Sequence, residues 1–117
     1  MTTSTDLLDS LAAAIEAKDA AAVSSHYAPD ATFTLLDRDH PPAEPSVYAG
    51  TAEIEAYFAD ICGRNMDHRV SDRVASADRL AFVQHCRYPS GEQVLCLTVA
   101  TVRDGRIVDQ TAVQVWD

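Results

Sequence analysis

Basic residues are scarce in this chain, where nine Lys and Arg stand against 18 Asp and Glu for a net charge of −9. A protein that binds a nucleic-acid backbone uses Lys and Arg to displace the counterions of the phosphates. Anionic membrane surfaces attract the same basic side chains. We therefore expect neither a nucleic acid nor a membrane as a partner.

Cysteines are also few, and none of Cys62, Cys86 and Cys96 stands in a C-x-x-C spacing. An odd number without that spacing argues against a disulfide framework and against a zinc site. We interpret the three as small buried apolar residues, and we expect no metal and no cofactor.

Long apolar runs are missing as well. No segment approaches the roughly 20 apolar residues of a membrane-spanning helix. Met1 to Asp6 has neither the basic start nor the apolar core of a secretory signal. With 47% apolar and 23% charged residues over 117 positions, the composition is that of one globular domain over residues 1–117. We expect a soluble, cytoplasmic domain.

What the sequence does contain is a strong β pattern in its last third, with strands predicted at Leu80 to Tyr88, Gln93 to Val102 and Arg106 to Trp116. Ser90-Gly91 and Asp104-Gly105 carry the glycine that two-residue hairpin turns favour. Counting outward from these turns sorts the side chains onto two faces, because the side-chain period of a strand is two. One face combines large apolar groups with three amides and is predicted to line a pocket: Phe82, Gln84, Cys86, Tyr88, Leu95, Leu97, Val99, Gln110, Ala112, Gln114 and Trp116.

The opposite face of these strands is smaller and β-branched. It is predicted to carry Val83, Val94, Thr98, Ile107, Thr111, Val113 and Val115. An apolar sheet face of more than a few hundred Å² is rarely left exposed on a monomer. We therefore expect a homodimer that forms through this outer face of the sheet.

The elements before these strands follow from periodicity and capping residues. A first helix, capped by Thr5 or Asp6, carries Leu7, Leu8, Leu11 and Ile15; a second runs from Asp19 to Ala28-Pro29; a strand covers Ala31 to Asp37; a loop covers Arg38 to Ser46; a short strand covers Val47 to Ala49; a third helix runs from its cap Thr51 to Gly63; and a strand covers Met66 to Ser76. This order predicts an α+β fold, in which three helices pack on one face of a curved, mostly antiparallel sheet that encloses a pocket.

At this point the chain resembles the NTF2-like superfamily, in its SnoaL-like branch. The resemblance rests on Ile15-Glu16-Ala17-Lys18-Asp19, Tyr27-Ala28-Pro29-Asp30-Ala31-Thr32-Phe33, Tyr48-Ala49-Gly50-Thr51-Ala52-Glu53-Ile54 and Asp104-Gly105-Arg106-Ile107-Val108. It implies a cone-shaped fold, a pocket for a small and largely apolar molecule, and frequent homodimers. Members of the superfamily include polyketide cyclases, ketosteroid isomerases, dehydratases, epoxide hydrolases and proteins without catalysis.

The resemblance also suggests which known site residues are absent. The Tyr and two Asp of ketosteroid isomerases correspond to Leu11, Leu35 and Val99. The Arg and Asp of limonene epoxide hydrolases fall at Thr111 and Ala112. These replacements argue against either of those two mechanisms in this chain.

His68 and Asp72 form the candidate catalytic pair. They stand on the face of the predicted strand Met66 to Ser76 that also carries two valines, and we place that face under the helices. His exchanges protons near neutral pH, and a buried carboxylate can orient it. The alternative is a His at the sheet edge and an Asp paired with an arginine. Asp37, Asp39 and His40, where the first strand leaves the sheet, form a second polar group at the predicted mouth, although ordinary loop polarity also explains them.

The predicted substrate-binding residues comprise apolar and aromatic side chains together with amides that can hold a carbonyl or hydroxyl group. They are Tyr27, Phe33, Leu35, Asp37, Tyr57, Val70, Phe82, Gln84, Cys86, Tyr88, Leu97, Val99, Gln110, Gln114 and Trp116. The favoured hypothesis is a cofactorless acid–base enzyme, a cyclase, isomerase or dehydratase, acting on a small, largely apolar or polyketide-like substrate. The alternative is a non-catalytic ligand-binding or dimeric interaction module.

Overall fold

The computed structural model describes residues 4–117, which form three helices and six strands. The helices are α1 (Ser4–Glu16), α2 (Ala20–Ser24) and α3 (Thr51–Gly63), and the strands are β1 (Tyr27–Leu36), β2 (Ser46–Ala49), β3 (Asp67–Ala75), β4 (Arg79–Arg87), β5 (Gln93–Arg103) and β6 (Arg106–Trp116). The predicted α+β class is confirmed. Within residues 4–117, no helix is both long and apolar enough to cross a membrane. Met1 to Thr3, part of the N-terminal segment interpreted above, lie outside the described residues.

The strands form one sheet in the order β2-β1-β6-β5-β4-β3. Only the β1–β6 pair is parallel, and every other pair in this sheet is antiparallel. Helix α1 packs on β3 and β4 at one side of the sheet, while α3 packs on β1 and β2 at the other, with α2 against both helices. This arrangement leaves the middle of the covered face accessible between α1 and α3, in agreement with the predicted cone.

The helices begin and end slightly differently from the prediction. Helix α1 already includes Ser4, so Thr5 and Asp6 lie inside it and not at its cap. Helix α2 ends at Ser24, because Tyr27 already begins β1. Its predicted cap is confirmed, since the Asp19 carboxylate accepts a hydrogen bond from the backbone N–H of Ala22 at 3.1 Å. The cap of α3 is the residue before the predicted threonine, namely Gly50, whose φ of 84° suits a glycine.

The predicted register of β5 is wrong by one residue. Gln84 pairs with Cys96 and not with Leu97, and Phe82 pairs with Thr98 and not with Val99. Beyond the ends of β4 and β5, the Tyr88 N–H still donates to the Glu92 carbonyl at 3.0 Å, so the loop itself has three residues, Pro89 to Gly91. Its geometry is a turn closed by the hydrogen bond from the Gly91 N–H to the Tyr88 carbonyl, followed by Gly91 itself at φ 93°. A type I turn followed by a left-handed glycine is the usual three-residue hairpin.

On the other side of β5, the two-residue Asp104-Gly105 turn is confirmed, with φ values of 53° and 74°. The register then shifts by one residue at Val108, so that Ala100 pairs with Gln110 where the prediction paired Val99 with it. This bulge brings Ile107 into the core, where it is fully buried. Both shifts together turn β5 over, relative to the prediction, so Leu95, Leu97 and Val99 lie on the outer face.

The outer face of the sheet therefore has a different composition from the one predicted. Val94, Thr98 and Ile107, which were expected on it, are buried on the covered side. The large apolar side chains that are exposed on it are Leu95, Leu97, Val99, Val113 and Val115, between 36% and 62% accessible. The cross-strand pairs Leu97–Val113 and Leu95–Val115 make these side chains neighbours. We call these five residues the outer patch.

Strand β3 contains a second bulge that the alternating pattern did not predict. The register with β4 shifts between Ser71 and Val74, and Asp72 takes the left-handed value φ 52°. On the helix side of the shift, the backbone N–H of Val70 donates to the Glu16 carboxylate of α1 at 3.0 Å. The predicted neighbours of β3 are accordingly corrected, because His68 pairs with Cys86 and not with Tyr88, and Gln84 pairs with Val70 and not with Asp72.

Candidate functional site

A cavity of about 190 Å³ lies between the helices and the covered face of the sheet. Its aromatic wall comes from β1, β2 and α3, where the Phe33 ring contacts Tyr48, Tyr57 and Phe58 at centroid distances of 5.9, 5.0 and 6.0 Å. Tyr27 joins this cluster through Phe58 at 5.4 Å. Such an aromatic wall suits a small, largely apolar ligand.

Most predicted pocket residues do line this cavity. They are Tyr27, Phe33, Leu35, Asp37, Tyr57, Phe82, Gln84, Cys86, Gln110, Gln114 and Trp116. Their shared position follows from the period-two patterns of β1, β4 and β6, which were read correctly. Whether they bind a substrate stays a prediction.

Four predicted pocket residues lie elsewhere. Leu97 and Val99 are about half exposed on the outer face, because β5 is turned over by its three-residue loop and by the bulge in β6. Val70 is buried outside the cavity wall, where its N–H meets Glu16. Tyr88 is next to the wall, with its ring 6.4 Å from that of Trp116.

The residues that the prediction missed come mainly from β5 and α3. Val94, Cys96 and Thr98 replace the outward-facing residues of β5, and Tyr48, Phe58, Asp60, Ile61 and Arg64 line the cavity from β2 and from α3 and its C-cap. In the sequence, Ile54, Tyr57, Phe58 and Ile61 have the spacing of a buried helical stripe. Its continuation to positions 60 and 64 follows from the three- and four-residue spacing of a helix face.

The proposed catalytic pair is not brought together. Asp72 is exposed at the bulge, and its carboxylate accepts a hydrogen bond from the Ser71 hydroxyl at 3.0 Å. His68 is buried, and its Nδ1 lies 3.1 Å from the Gln84 amide nitrogen and 3.2 Å from the Cys86 sulfur. Desolvation, with a smaller effect of Lys18, lowers the pKa of His68. The expectation that both groups share the covered face is therefore wrong for Asp72.

The three amides of the covered face each have a side-chain partner. The Tyr27 hydroxyl donates to the Gln110 carbonyl oxygen at 2.6 Å, and both residues are buried. Burial raises the pKa of Tyr27 well above its ordinary value, so the phenol stays protonated and able to donate. The Trp116 indole N–H donates to the Gln114 oxygen at 3.2 Å, while Gln84 contacts His68.

Polar side chains mark the mouth of the cavity. Asp37 and His40 both line it and face each other across a tight turn, with His40 Nδ1 2.8 Å from Asp37 Oδ1. The same carboxylate oxygen accepts from the backbone N–H of Asp39 at 2.9 Å. Burial alone raises the pKa of Asp37, but the hydrogen bonds from His40 and Asp39 outweigh burial and hold that pKa below its ordinary value. The carboxylate is therefore ionised at neutral pH and able to orient the imidazole.

Two arginines stand near the same opening. Arg64 donates to the Asp60 carboxylate at 2.7 Å and reaches the Tyr88 hydroxyl at 3.4 Å, and the guanidinium of Arg38 lies 5.8 Å from the centre of the Trp116 ring. Over residues 4–117, no three His, Cys, Asp or Glu side chains are grouped so as to hold a metal ion. All three cysteines are free thiols, and burial raises the pKa of each.

The fold and this cavity define an NTF2-like protein, as the sequence resemblance predicted. The family model described as SnoaL-like domain matches residues 8–110, and the chain belongs to this family. No curated protein matches the sequence.

Solved structures with the same fold have little sequence in common with this chain. An NTF2-like protein of unknown function from Mesorhizobium loti is similar at 16% identity and TM-score 0.82, over 95% of this chain and 89% of that one. A candidate ketosteroid isomerase from Kribbella flavida is similar at 14% identity and TM-score 0.76, over 95% and 75% of the two chains. A loop-truncation variant of IdmH reaches 24% identity and TM-score 0.71, over 94% and 91%. At these identities the likeness extends to the fold alone.

Proposed function

We propose that the protein binds a small, largely apolar carbonyl compound in its cavity and acts on it by acid–base chemistry without a cofactor, as an isomerase, cyclase or dehydratase. The observation that carries this proposal is the Asp37–His40 pair, which lines the mouth of an otherwise aromatic cavity at a side-chain distance of 2.8 Å. A carboxylate that accepts the Nδ1 proton of an imidazole leaves Nε2 available to take a proton from a substrate.

The proposed reaction begins when His40 Nε2 removes a proton from the carbon next to the substrate carbonyl. Asp37 stabilises the resulting imidazolium through its contact with Nδ1, and the substrate becomes an enolate. Return of the proton to another carbon completes an isomerisation, whereas loss of a hydroxyl group at the next carbon completes a dehydration. Attack of the enolate on a second carbonyl of the same molecule gives a cyclisation.

The assignment replaces Asp72 by Asp37 and His68 by His40, since Asp72 contacts only its neighbour Ser71 among its described hydrogen bonds. The assignment also does not rely on the residues of ketosteroid isomerases, because β5 brings no titratable residue inward near the position predicted for their second Asp. Val99 points outward, and its inward neighbours on β5 are Thr98 and Ala100, neither of which titrates.

Exchange of substrate protons with solvent tests this proposal before the natural product is known. Small apolar ketones are first selected for binding by the shift they cause in the melting temperature. Their α-protons are then followed by NMR in D₂O, with and without protein. We expect His40→Gln and Asp37→Asn to slow the catalysed exchange by about 10²–10⁴-fold. Asp72→Asn is the matched control, because its carboxylate is exposed and is not part of the cavity wall.

Exchange rates equal to that of the wild type in all three variants would exclude His40 and Asp37 as the proton-transfer groups. Binding of ketones without any catalysed exchange would instead favour the second candidate, a ligand-binding module. One observation favours that candidate. The three amides of the cavity already have side-chain partners, which leaves them less hydrogen-bonding capacity to stabilise the oxygen of an enolate.

We also propose that two copies associate through the outer patch. Its five side chains are contiguous, uncharged and 36–62% exposed, whereas the chain as a whole carries a charge of −9. A two-fold pair buries such a patch against itself. Light scattering should give a dimer for the wild type and a monomer for Leu97→Glu. Ala21→Glu, which adds the same charge on exposed helix α2, should remain a dimer. A wild-type monomer at micromolar concentration would refute the proposal.

A further inference from the structure

Two thiols line the cavity, and only one of them contacts an imidazole. Cys86 on β4 and Cys96 on β5 are equally buried, each 7% exposed, and both belong to the cavity wall. The Cys86 sulfur lies 3.2 Å from His68 Nδ1 and 3.5 Å from the Gln84 amide nitrogen, whereas the Cys96 sulfur lies 3.8 Å from the Thr98 hydroxyl and also interacts with the Gln114 side chain. The two cysteines therefore have the same exposed fraction and line the same cavity, but burial raises the pKa of Cys96 to about 11, and only Cys86 has a base beside it.

The hydrogen bonds around His68 define the state of its ring. Nδ1 lies 3.1 Å from the Gln84 amide nitrogen, an N–H₂ group that can only donate, and 3.2 Å from the Cys86 sulfur, whose role follows from the tautomer. A nitrogen that accepts from donors carries a lone pair, so the proton of the neutral ring is on Nε2. Nε2 is buried and has no hydrogen-bond partner among the described residues. The lone pair that can take a proton is thus the one directed at the thiol.

We propose that Cys86 is a nucleophile activated by His68, and that the cavity accepts an apolar α,β-unsaturated carbonyl compound to which this thiol adds. A thiol is a soft nucleophile that prefers the β-carbon of such a compound, and the aromatic wall around Phe33 suits a planar conjugated ligand. This inference uses the cavity of the proposed function but neither of the two mouth residues to which that function assigns the chemistry.

The addition is balanced without an oxidant or a reductant. The Cys86 sulfur forms a bond to the β-carbon while its proton moves to His68 Nδ1, and the electron pair of the carbon–carbon double bond becomes that of an enolate. The enolate then takes the proton back from Nδ1 at its α-carbon. The net change is addition of S–H across the double bond, with both side chains otherwise unchanged.

The surroundings of the pair favour a proton that is transferred only during the reaction. Burial raises the pKa of Cys86, and desolvation together with Lys18 lowers the pKa of His68. Both shifts stabilise the neutral thiol and the neutral imidazole before a ligand arrives. An imidazolium formed during the addition keeps an unpartnered N–H at Nε2, which favours return of the proton to the product. Gln84 also lines the cavity, and its amide nitrogen lies 3.5 Å from the Cys86 sulfur, where an N–H can stabilise negative charge that develops on the sulfur during the addition.

The three cysteines of one chain provide the internal comparison for a test. The native protein is treated with a small amount of N-ethylmaleimide, an apolar cyclic compound of the proposed class, and labelling at each cysteine is followed over time by peptide mass spectrometry. We expect Cys86 to react at least about tenfold faster than Cys96, since general-base assistance is commonly worth about 10²–10⁴-fold. Equal rates at Cys86 and Cys96 in the wild type would overturn the inference without the use of any variant.

Variants then assign the effect to the imidazole. His68→Gln should lower the Cys86 rate at least about tenfold and leave the rate of the half-buried Cys62 unchanged, and an unchanged Cys62 rate also reports that the fold is retained. Asp72→Asn, on the same strand, should leave all three rates unaltered. Labelling is measured at each cysteine and not as proton exchange, so a failure of the proposed function does not affect this result. A Cys86 rate that persists in His68→Gln would refute the role of His68, and if that variant fails to fold, His68→Asn replaces it in the same comparison.

Discussion

The hydrogen bond between Tyr27 and Gln110 offers a quantitative test of the cavity floor. The phenol donates to the amide oxygen at 2.6 Å, and the two residues are 7% and 4% exposed. Tyr27→Phe removes the donor but keeps the ring, so the Gln110 oxygen remains buried without this partner. Leaving a buried polar group unsatisfied costs about 1–3 kcal/mol, so we expect a loss of this size in the free energy of unfolding.

Replacing both partners separates the hydrogen bond from the packing. Gln110→Leu alone strands the Tyr27 hydroxyl and should cost a similar amount, whereas the double variant leaves no unpaired group. We therefore expect the double variant to cost about 1–2 kcal/mol less than the sum of the single ones. With a urea dependence of roughly 1–3 kcal/mol/M, each single change shifts the unfolding midpoint by about 1 M.

Urea unfolding followed by Trp116 fluorescence, at one fixed protein concentration, measures these differences. Tyr48→Phe is the matched control, because that hydroxyl is only half buried and meets the Ser46 hydroxyl at 3.3 Å. We expect the control to change stability by no more than about 0.5 kcal/mol. Strict additivity of the Tyr27 and Gln110 variants would refute the coupling and would show that the cavity satisfies each group independently.

Three further predictions concern pH and the backbone. The lowered pKa of His68 means that the unfolded chain binds its proton first, so the melting temperature should fall as pH drops below the ordinary value of 6.5. His68→Gln should flatten that part of the melting-temperature profile, and an equal slope in both proteins would contradict the shift. Gly91→Ala should cost about 1 kcal/mol in urea unfolding, since its φ is 93° although an added Cβ meets no atom within 4 Å. Glu16→Ala should expose the Val70 amide to hydrogen exchange, while exchange at Val102 stays unchanged, because the Glu16 carboxylate accepts that N–H at the bulge in β3.

The sequence predicted the fold and most of the cavity wall through its strand periods. Period two placed Phe82, Gln84 and Cys86 together on β4, and the same period placed Gln110 and Gln114 together on β6. These assignments are correct because each strand has one large apolar side and one smaller side. They do not depend on knowing which residues stand opposite each other on neighbouring strands.

The strand-register predictions that failed depended on counting residues across a turn or a bulge. The prediction treated Ser90-Gly91 as a two-residue turn, which makes Pro89 the partner of Glu92, although a proline has no N–H for the ladder and favours the second position of a turn. Recognising Pro89-Ser90-Gly91 as a three-residue loop would have given the register between β4 and β5. The left-handed φ of Asp72 has no comparable signal, since an Asp within an alternating run reads as an ordinary strand residue. That single backbone angle accounts for the lost His68–Asp72 pair.

The three-residue loop at Pro89 to Gly91 has a consequence for how this protein can change. Insertions and deletions in exposed loops are normally tolerated, since they alter only the surface. Here the loop length decides which side chains of β5 face the cavity, because a shift by one residue exchanges the two faces of a strand. Removing one residue would tend to bring Leu95, Leu97 and Val99 inward and carry Cys96 and Thr98 outward. Deletion of a single codon in this exposed loop would therefore replace the Cys96 thiol and the Thr98 hydroxyl in the cavity by branched hydrocarbon side chains. The same deletion would alter the outer patch.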